Sequence, residues 1–197
     1  MSFVVGLTGP TGAGKSSVTD VAKNLGFKVI DCDALARVAV EKGSDGLADI
    51  VKVFGGGVLN SDGTLNRKEL AALAFSSSEK TELLNQTLLP HIVKLIKSQI
   101  DVPLVLLDAP TLFESGADSL CNEVIVVLCD KKTRKKRIME RDGIDESAAE
   151  LRIKAGKEDN FYIERSNNIV YNDCELSVLN LKIQKLLNKL LEENNNV

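Results

Sequence analysis

The sequence predicts an α/β fold built on a parallel sheet. Short apolar runs alternate along the chain with segments of helical periodicity, and the runs at residues 104–107 and 123–128 are almost continuously apolar. Strands that are buried on both faces and separated by helices are typical of α/β proteins. A glycine-rich loop joins the first apolar run, at residues 3–7, to the first helical pattern, so the chain opens with strand, loop and helix.

The glycine-rich loop has the sequence of a phosphate-binding loop. Residues 9–16 read GPTGAGKS and match G-x-x-x-x-G-K-[ST] at every fixed position. Gly12 and Gly14 allow backbone conformations that bring amide N–H groups close to an anion, and the helix N-terminus adds its dipole. Lys15 can reach the β- and γ-phosphates, and the Ser16 hydroxyl can bind Mg²⁺. The loop predicts a site for ATP or GTP, held by Thr11, Gly12, Ala13, Gly14, Lys15 and Ser16.

The remaining elements follow from apolar runs and capping signals. Further strands are expected at residues 28–31, 104–107, 123–128 and 169–171. Helices are expected at about residues 15–25, 34–41, 66–75, 76–100, 131–140 and 175–192, with a short helix that ends at Phe54 and a charged helical hairpin or arm at about 145–160. Asn66 and Glu69 form a capping-box pattern, and Pro90 predicts a kink or break. The last helix should bury one face, formed by Leu176, Leu179, Ile183, Leu186, Leu187 and Leu190.

These elements predict a P-loop NTPase-type three-layer fold with a five-stranded parallel sheet. A helical insertion follows the second strand and a helical lid follows the fourth. The chain then forms a single domain with a core of residues 1–42, 101–135 and 166–197, an insertion at about 43–100 and a lid at about 136–165. The insertion is longer than the dozen or so residues that a parallel crossover requires. Substrate binding is the favoured role of the insertion, and a purely structural cap is the alternative.

Composition argues against several classes of partner. The net charge of −3 gives no basic field for nucleic acid, and no apolar run or leader pattern suggests a membrane or a secreted protein. We therefore expect a cytoplasmic protein without nucleic-acid or membrane partners. The sequence does not decide the oligomeric state, and a monomer is the expectation. The four cysteines lack metal-ligand spacing and are expected to be free thiols, and a structural role is favoured for His91.

Three acidic residues lie at the strand ends where ligands bind in open α/β sheets: Asp31 and Asp33 at the second strand and Asp108 at the third. Asp33 is favoured over Asp31 because it follows the strand instead of closing it. Asp33 can orient and deprotonate an acceptor hydroxyl, and its alternative role is a helix N-cap. Asp108 resembles the carboxylate that closes a Walker B strand, which holds Mg²⁺ through water, and its alternative role is a turn residue before Pro110.

Basic residues crowd the helix that leads into the lid. Arg137 and Arg141 lie four residues apart and therefore share a helix face. Guanidinium groups donate paired hydrogen bonds to phosphate, so both arginines are expected to close over the nucleotide, with Arg141 at the transferring phosphoryl group. Arg152 is a weaker candidate in the same arm. The lysines of this run are interpreted as a solvated face.

Motifs along nearly the whole chain resemble the dephospho-CoA kinase family. They are the loop at residues 6–16, VIDCD with Ala36-Arg37 behind it, D-G-x-L-x-R at residues 62–67, PTLFE at 110–114, K-R-x-x-x-R-D at 136–142 and Asn172-Asp173. The resemblance implies transfer of phosphate from ATP, with Mg²⁺, to the ribose 3′-hydroxyl of dephospho-CoA. It implies Asp33, Lys15 and Arg141 as catalytic residues and Arg137 as an ATP ligand. It also implies acceptor contacts from Asp33, Arg67, Leu112, Phe113 and Glu114.

Other functions remain as alternatives. A P-loop kinase for another small acceptor, of the nucleoside monophosphate or shikimate type, would share most of these features. A regulatory GTPase is less favoured because the chain lacks an N-K-x-D motif, and residues 108–111 do not read D-x-x-G. A nucleotide-dependent binding protein with a helical partner surface is a further alternative, which predicts no phosphoryl transfer to a small molecule.

Overall fold

The computed structural model describes residues 2–195 and has an α/β architecture. Its strands form a single five-stranded sheet in the order β2-β3-β1-β4-β5, and β1 pairs in parallel with both β3 and β4. The predicted five-stranded parallel sheet is confirmed. The strands are β1 (Phe3–Thr8), β2 (Lys28–Asp31), β3 (Leu104–Asp108), β4 (Glu123–Leu128) and β5 (Asn168–Tyr171).

Strand β1 lies at the centre of the sheet. Leu7 pairs with Asp108 of β3, and Thr8 pairs with Val126 of β4. The loop that follows β1 therefore leaves the sheet at the middle of its carboxyl edge, between the ends of two neighbouring strands. This is where an open α/β sheet offers room for a ligand.

Nine α-helices connect and flank the strands within residues 2–195. They are α1 (Lys15–Asn24), α2 (Cys32–Val38), α3 (Asp45–Phe54), α4 (Arg67–Ala74), α5 (Ser78–Gln99), α6 (Lys131–Asp142), α7 (Glu146–Lys154), α8 (Asp159–Ile163) and α9 (Leu176–Asn195), with short 3₁₀ helices at Gly56–Val58 and Ala117–Leu120. The predicted cap of α4 is confirmed, because the Asn66 side chain accepts a hydrogen bond from the Glu69 amide at 3.2 Å. Within the same residues, no helix is both long and apolar enough to cross a membrane.

The chain divides into two compact units. One consists of the residues before Asp31 and after Asp101, and the other is Asp31–Asp101. In the first unit, α1 and α9 pack on one face of the sheet, so that their apolar stripes share a core with alternating strand residues. In the second unit, Val40, Ile50, Val58 and Leu70 form a smaller buried cluster from α3, α4 and their neighbouring loops.

Three details differ from the expectations. Helix α5 continues through Pro90, so a break there is wrong: the proline removes one hydrogen bond, but the helix packs on α2, α3 and α4. Helix α2 begins at Cys32 because Asp31, rather than a later residue, caps it. Leu176 is 62% exposed, since it opens α9 before the helix meets the sheet.

Candidate active site

The phosphate-binding loop connects β1 to α1 and has the backbone that its glycines permit. Gly12 and Gly14 have φ values of 78° and 95°, in the left-handed region that favours glycine. Gly14 is the N-cap of α1, so the loop runs directly into the positive end of the helix dipole. This geometry suits an anion held by backbone amides.

The predicted Lys15 and Ser16 lie in the first turn of α1. The Lys15 ammonium donates to the Gly9 carbonyl at 3.2 Å, which folds the side chain back along the loop, and Ser16 is exposed. One turn later, Thr19 places its hydroxyl 3.5 Å from a carboxylate oxygen of Asp108. Oxygen groups from α1 and from the end of β3 are thus brought together. Within residues 2–195, no three His, Cys, Asp or Glu side chains are grouped to hold a metal ion.

Two polar side chains behind the loop were missed as site residues. Arg134 is 2% exposed, and its Nε donates to the Thr11 carbonyl at 3.0 Å. Asn172 is 4% exposed, and its Nδ2 donates to the Ala13 carbonyl at 2.8 Å. A signal for Arg134 was available, because it lies four residues before Ile138, the fully buried apolar residue that marks the inner face of α6.

The predicted Arg137 lies against the loop rather than in solvent. Its Nη1 donates to the Ala13 carbonyl at 3.2 Å, and its Nη2 donates to the Asn172 side-chain oxygen at 3.3 Å. Nη1 is also 3.5 Å from the Cys129 sulfur. Burial raises the pKa of the Cys129 thiol, and the Arg137 charge partly opposes that rise. Like the three other cysteines, Cys129 is a free thiol.

The predicted Arg141 is oriented differently, although it lies on the same helix. It is 61% exposed, and its Nε and Nη2 donate to the two carboxylate oxygens of Asp142 at 2.7 and 3.0 Å. Arg152 of α7 also forms an ion pair with Asp142. The hydrogen bonds from Arg141, and then the charges of both arginines, hold the pKa of Asp142 below its usual range. The structure therefore does not bring Arg137 and Arg141 to one place.

Of the three acceptor residues predicted after β3, Leu112 lies in the core, whereas Phe113 is partly buried and Glu114 is exposed. Leu112 is fully buried, and a Cβ on Gly6 would lie 2.7 Å from its side chain, so contact between Leu112 and a substrate is not supported. The sequence motif could not show this, because packing on β1 decides where Leu112 points. Phe113 packs edge-on against Phe161 with ring centroids 6.0 Å apart, and Glu114 is exposed.

The second unit contains a groove that brings two predicted residues together. Asp33 and Arg37 on α2 and Arg67 on α4 lie along a cavity of about 320 Å³ with an apolar wall. The N-cap alternative for Asp33 is excluded, since the Ala34 amide donates to Asp31 at 2.9 Å. The wall consists of Ala36, Val40, Leu65, Leu70, Ala71, Phe75, Leu84 and Leu88, of which Phe75 is 68% exposed.

His91 lies in the same unit but lines a different cavity. Its Nε2 is 2.8 Å from a carboxylate oxygen of Asp49, a hydrogen bond between α5 and α3. The contact joins two helices of one unit, which is consistent with the structural role favoured from the sequence.

A family model and curated relatives are similar to this chain in sequence. The model of the dephospho-CoA kinase family matches residues 3–177. A dephospho-CoA kinase of Shouchella clausii is 41% identical over 157 residues, which cover 77% of this chain and 80% of the relative.

Two solved structures share the fold over almost the whole chain. One is TT1252 from Thermus thermophilus, with a TM-score of 0.77, 28% identity and coverage of 98% of this chain and 97% of the other. The second is a dephospho-CoA kinase from Campylobacter jejuni, with a TM-score of 0.69, 25% identity and coverage of 98% and 100%.

Proposed function

This chain belongs to the dephospho-CoA kinase family, and from that premise we propose how its residues carry out the reaction. The activity of the family is the ATP-dependent phosphorylation of dephospho-CoA, a step of coenzyme A biosynthesis. The phosphoryl group is transferred to the ribose 3′-hydroxyl of the acceptor. We assign residues that bind, orient and activate the two substrates and that hold Mg²⁺, and we assign the reaction to a cellular compartment.

The phosphates of ATP bind the loop between β1 and α1. The amides of Thr11 through Ser16 and the α1 dipole favour their negative charge, and Lys15 leaves the Gly9 carbonyl to reach the β- and γ-phosphates. Arg137 lies against the carbonyl side of this loop and adds positive charge there. The observation that supports this role is the left-handed glycine backbone that leads into the N-terminus of α1.

The oxygen groups near the loop fit Mg²⁺. Magnesium prefers hard oxygen ligands and is usually held by one or two carboxylates together with substrate phosphates. Ser16 supplies a hydroxyl on the first turn of α1, and Asp108 supplies a carboxylate that contacts Thr19 on the next turn. When bound, the ion neutralises charge on the phosphates of ATP. This role of Ser16 and Asp108 does not require a dedicated cluster of protein ligands.

The acceptor binds the groove of the Asp31–Asp101 unit. This assignment gives the insertion the substrate-binding role that was favoured from the sequence. Arg67 and Arg37 provide positive charge for the diphosphate of dephospho-CoA, and the aliphatic wall accepts apolar parts of the molecule. Asp33 accepts the hydroxyl proton and orients the attacking oxygen. The observation that carries this assignment is that Asp33 and Arg67, from two separate motifs, line one groove. Phe113 and Glu114 are proposed as further acceptor contacts.

Closure of the lid, at about residues 136–165, completes the site. Arg141 leaves Asp142 and donates to the transferring phosphoryl group, whose charge it offsets in the transition state. Closure also excludes water and so limits hydrolysis of ATP without an acceptor. We place this reaction in the cytoplasm. We also expect the protein to be a monomer, and size-exclusion chromatography with light scattering would measure its mass in solution.

Replacement of Asp33 by Asn tests the acceptor site. We expect kcat to fall by about 10²–10⁴-fold, because the amide can neither accept the proton nor carry the negative charge. A coupled assay that follows ADP release with ATP and dephospho-CoA measures the change. Asp31→Asn is the matched control: it alters an exposed carboxylate two residues away, yet asparagine still caps α2.

The same assay separates the alternatives. Near-normal turnover by the Asp33→Asn protein contradicts the proposed role of Asp33. Turnover of a nucleoside monophosphate or shikimate, with none of dephospho-CoA, contradicts the acceptor itself. Tight binding of GTP without turnover of any small acceptor would favour a regulatory GTPase.

A further inference from the structure

We propose that Asn172 and Arg134 are positioning residues that fix the direction of two amide groups in the phosphate-binding loop. The inference rests on the proposed role of that loop in binding ATP, and it concerns residues outside the G-x-x-x-x-G-K-[ST] motif. Neither side chain is proposed to contact the phosphates. Each acts through a peptide group of the loop.

The geometry of the peptide bond connects these side chains to the ligand side of the loop. In a trans peptide, the carbonyl of one residue and the N–H of the next point in opposite directions. Arg134 binds the Thr11 carbonyl at 3.0 Å and so directs the Gly12 amide to the other side. Asn172 binds the Ala13 carbonyl at 2.8 Å and directs the Gly14 amide in the same way.

The amide between these two has a different partner. The Ala13 N–H donates to the Pro10 carbonyl at 3.1 Å, which closes a turn inside the loop. The Ala13 N–H is therefore used inside the loop, while the Gly12 carbonyl of the same peptide has only a long contact with Arg137, at 3.5 Å. The peptides on either side have shorter external contacts, from α6 and from the residue that follows β5. Arg137 also donates to the Ala13 carbonyl, at 3.2 Å.

Both donor side chains are buried, and both hydrogen bonds have a defined direction. A carbonyl can only accept, so Nδ2 of Asn172 must face Ala13, and the other end of the amide accepts from Arg137 at 3.3 Å. At 2–4% exposure, water cannot replace either donor. A Cβ on Gly14 would lie 2.1 Å from Nδ2 of Asn172, which shows how closely the amide approaches the loop.

The substitution Asn172→Asp is the sharpest test. It preserves the size of the side chain and the acceptor for Arg137, but it places a carboxylate oxygen where the Ala13 carbonyl needs a donor. We expect the affinity for ADP and ATP, measured by calorimetry, to fall by about tenfold to a hundredfold. In amide NMR spectra, we expect the shift of the Gly14 signal on ADP addition to be reduced, while that of Gly12 persists.

Arg134→Lys provides the converse experiment. It keeps the positive charge but loses the Nε donor, so the Gly12 signal should lose its response to ADP while the Gly14 signal keeps it. This second variant also keeps the proposal testable if the Asn172→Asp protein does not fold.

Asn168→Asp is the matched control, at the first residue of the strand that Asn172 follows. The Asn168 amide donates to Glu123 at 2.9 Å, so the change destabilises the sheet edge without touching the loop. We expect lower thermal stability but ADP affinity within about twofold of the parent. Equal losses of ADP affinity in the two aspartate variants would show that Asn172 only supports the fold and would overturn the proposal.

Lys15→Ala separates failure of this inference from failure of the proposed function. If that variant binds ADP as tightly as the parent, the loop is not the nucleotide site, and both proposals fall. If Lys15→Ala loses affinity while Asn172→Asp and Arg134→Lys retain it, only the positioning role is wrong.

Discussion

The arginines of α6 are held in opposite ways at the two ends of the helix. Arg134 and Arg137 donate to backbone carbonyls of the phosphate-binding loop and are buried or partly buried. Arg141, in the last turn, is exposed and binds the carboxylate of its neighbour Asp142. The carbonyls that bind Arg134 and Arg137 belong to a packed loop, whereas the Arg141 guanidinium is largely exposed, so water and other ions can replace its contact with Asp142. Arg134 and Arg137 therefore support the backbone of the loop, whereas Arg141 can change its contacts at low cost.

Arg141→Met gives the largest effect expected from this comparison. We expect kcat to fall about a thousandfold with little change in ADP affinity, because the guanidinium is proposed to act only on the transferring phosphoryl group. Steady-state kinetics and calorimetry measure the two quantities. Lys136→Met is the control, since it removes an exposed cation of the same helix. Normal turnover in Arg141→Met, or an equal loss in the control, contradicts the proposed distinction.

Arg134→Met tests the other end of the helix. We expect the free energy of unfolding to fall by about 2–4 kcal/mol, because the Thr11 carbonyl loses its buried donor and Asp159 loses its cation. Chemical denaturation of the nucleotide-free protein measures this loss. The same experiment on Arg141→Met should show almost no change. If the two variants were equally stable, burial would not distinguish the two ends of α6.

Asp142→Asn gives the smallest effect and tests the exposed pair. The pKa of Asp142 is lowered in the folded protein, so its ion pairs stabilise the fold above the ordinary aspartate value of about 3.9. This contribution is lost as pH falls through the lowered folded value. The difference in unfolding free energy between parent and variant should therefore be constant from about pH 5 to 8 and shrink below about pH 4.

Urea denaturation across this pH range, with Asp145→Asn as a control that keeps its helix cap, measures the difference. We expect kcat to change by no more than about fivefold, as for an exposed ion pair. If the difference in unfolding free energy between the parent and Asp142→Asn increased as the pH fell, the ion pairs of Asp142 would not be the source of the stabilisation.

The sequence predicted the parts of the site that are local. The loop, Lys15 and Ser16 belong to one continuous motif, and its strand–loop–helix context is read from neighbouring residues. Asp33 was singled out because it follows a strand. The five parallel strands were predicted from the alternation of apolar runs with helical segments, but their order in the sheet was not predicted.

The residues that were missed depend on contacts between distant parts of the chain. Asn172 and Ala13 are 159 residues apart, and no local pattern indicates that they meet. Arg134 was given no role in the sequence analysis, because composition does not show which face of α6 turns inward. Leu112 was placed in the acceptor site by its motif, but packing against Gly6 buries it. In each case tertiary contacts overrode the local signal.

Helix α5 has a consequence for how the acceptor groove behaves. Although 22 residues long, the helix fully buries only Ile96, so few apolar contacts hold its first half. Leu84 and Leu88 on that half line the groove. A segment with so little buried surface opens at a lower free energy than the central strands, and a molecule seated against it supplies the missing contacts. An acceptor bound in this groove, as proposed, would complete the hydrophobic packing of its wall, so that binding and local ordering of α5 would be coupled.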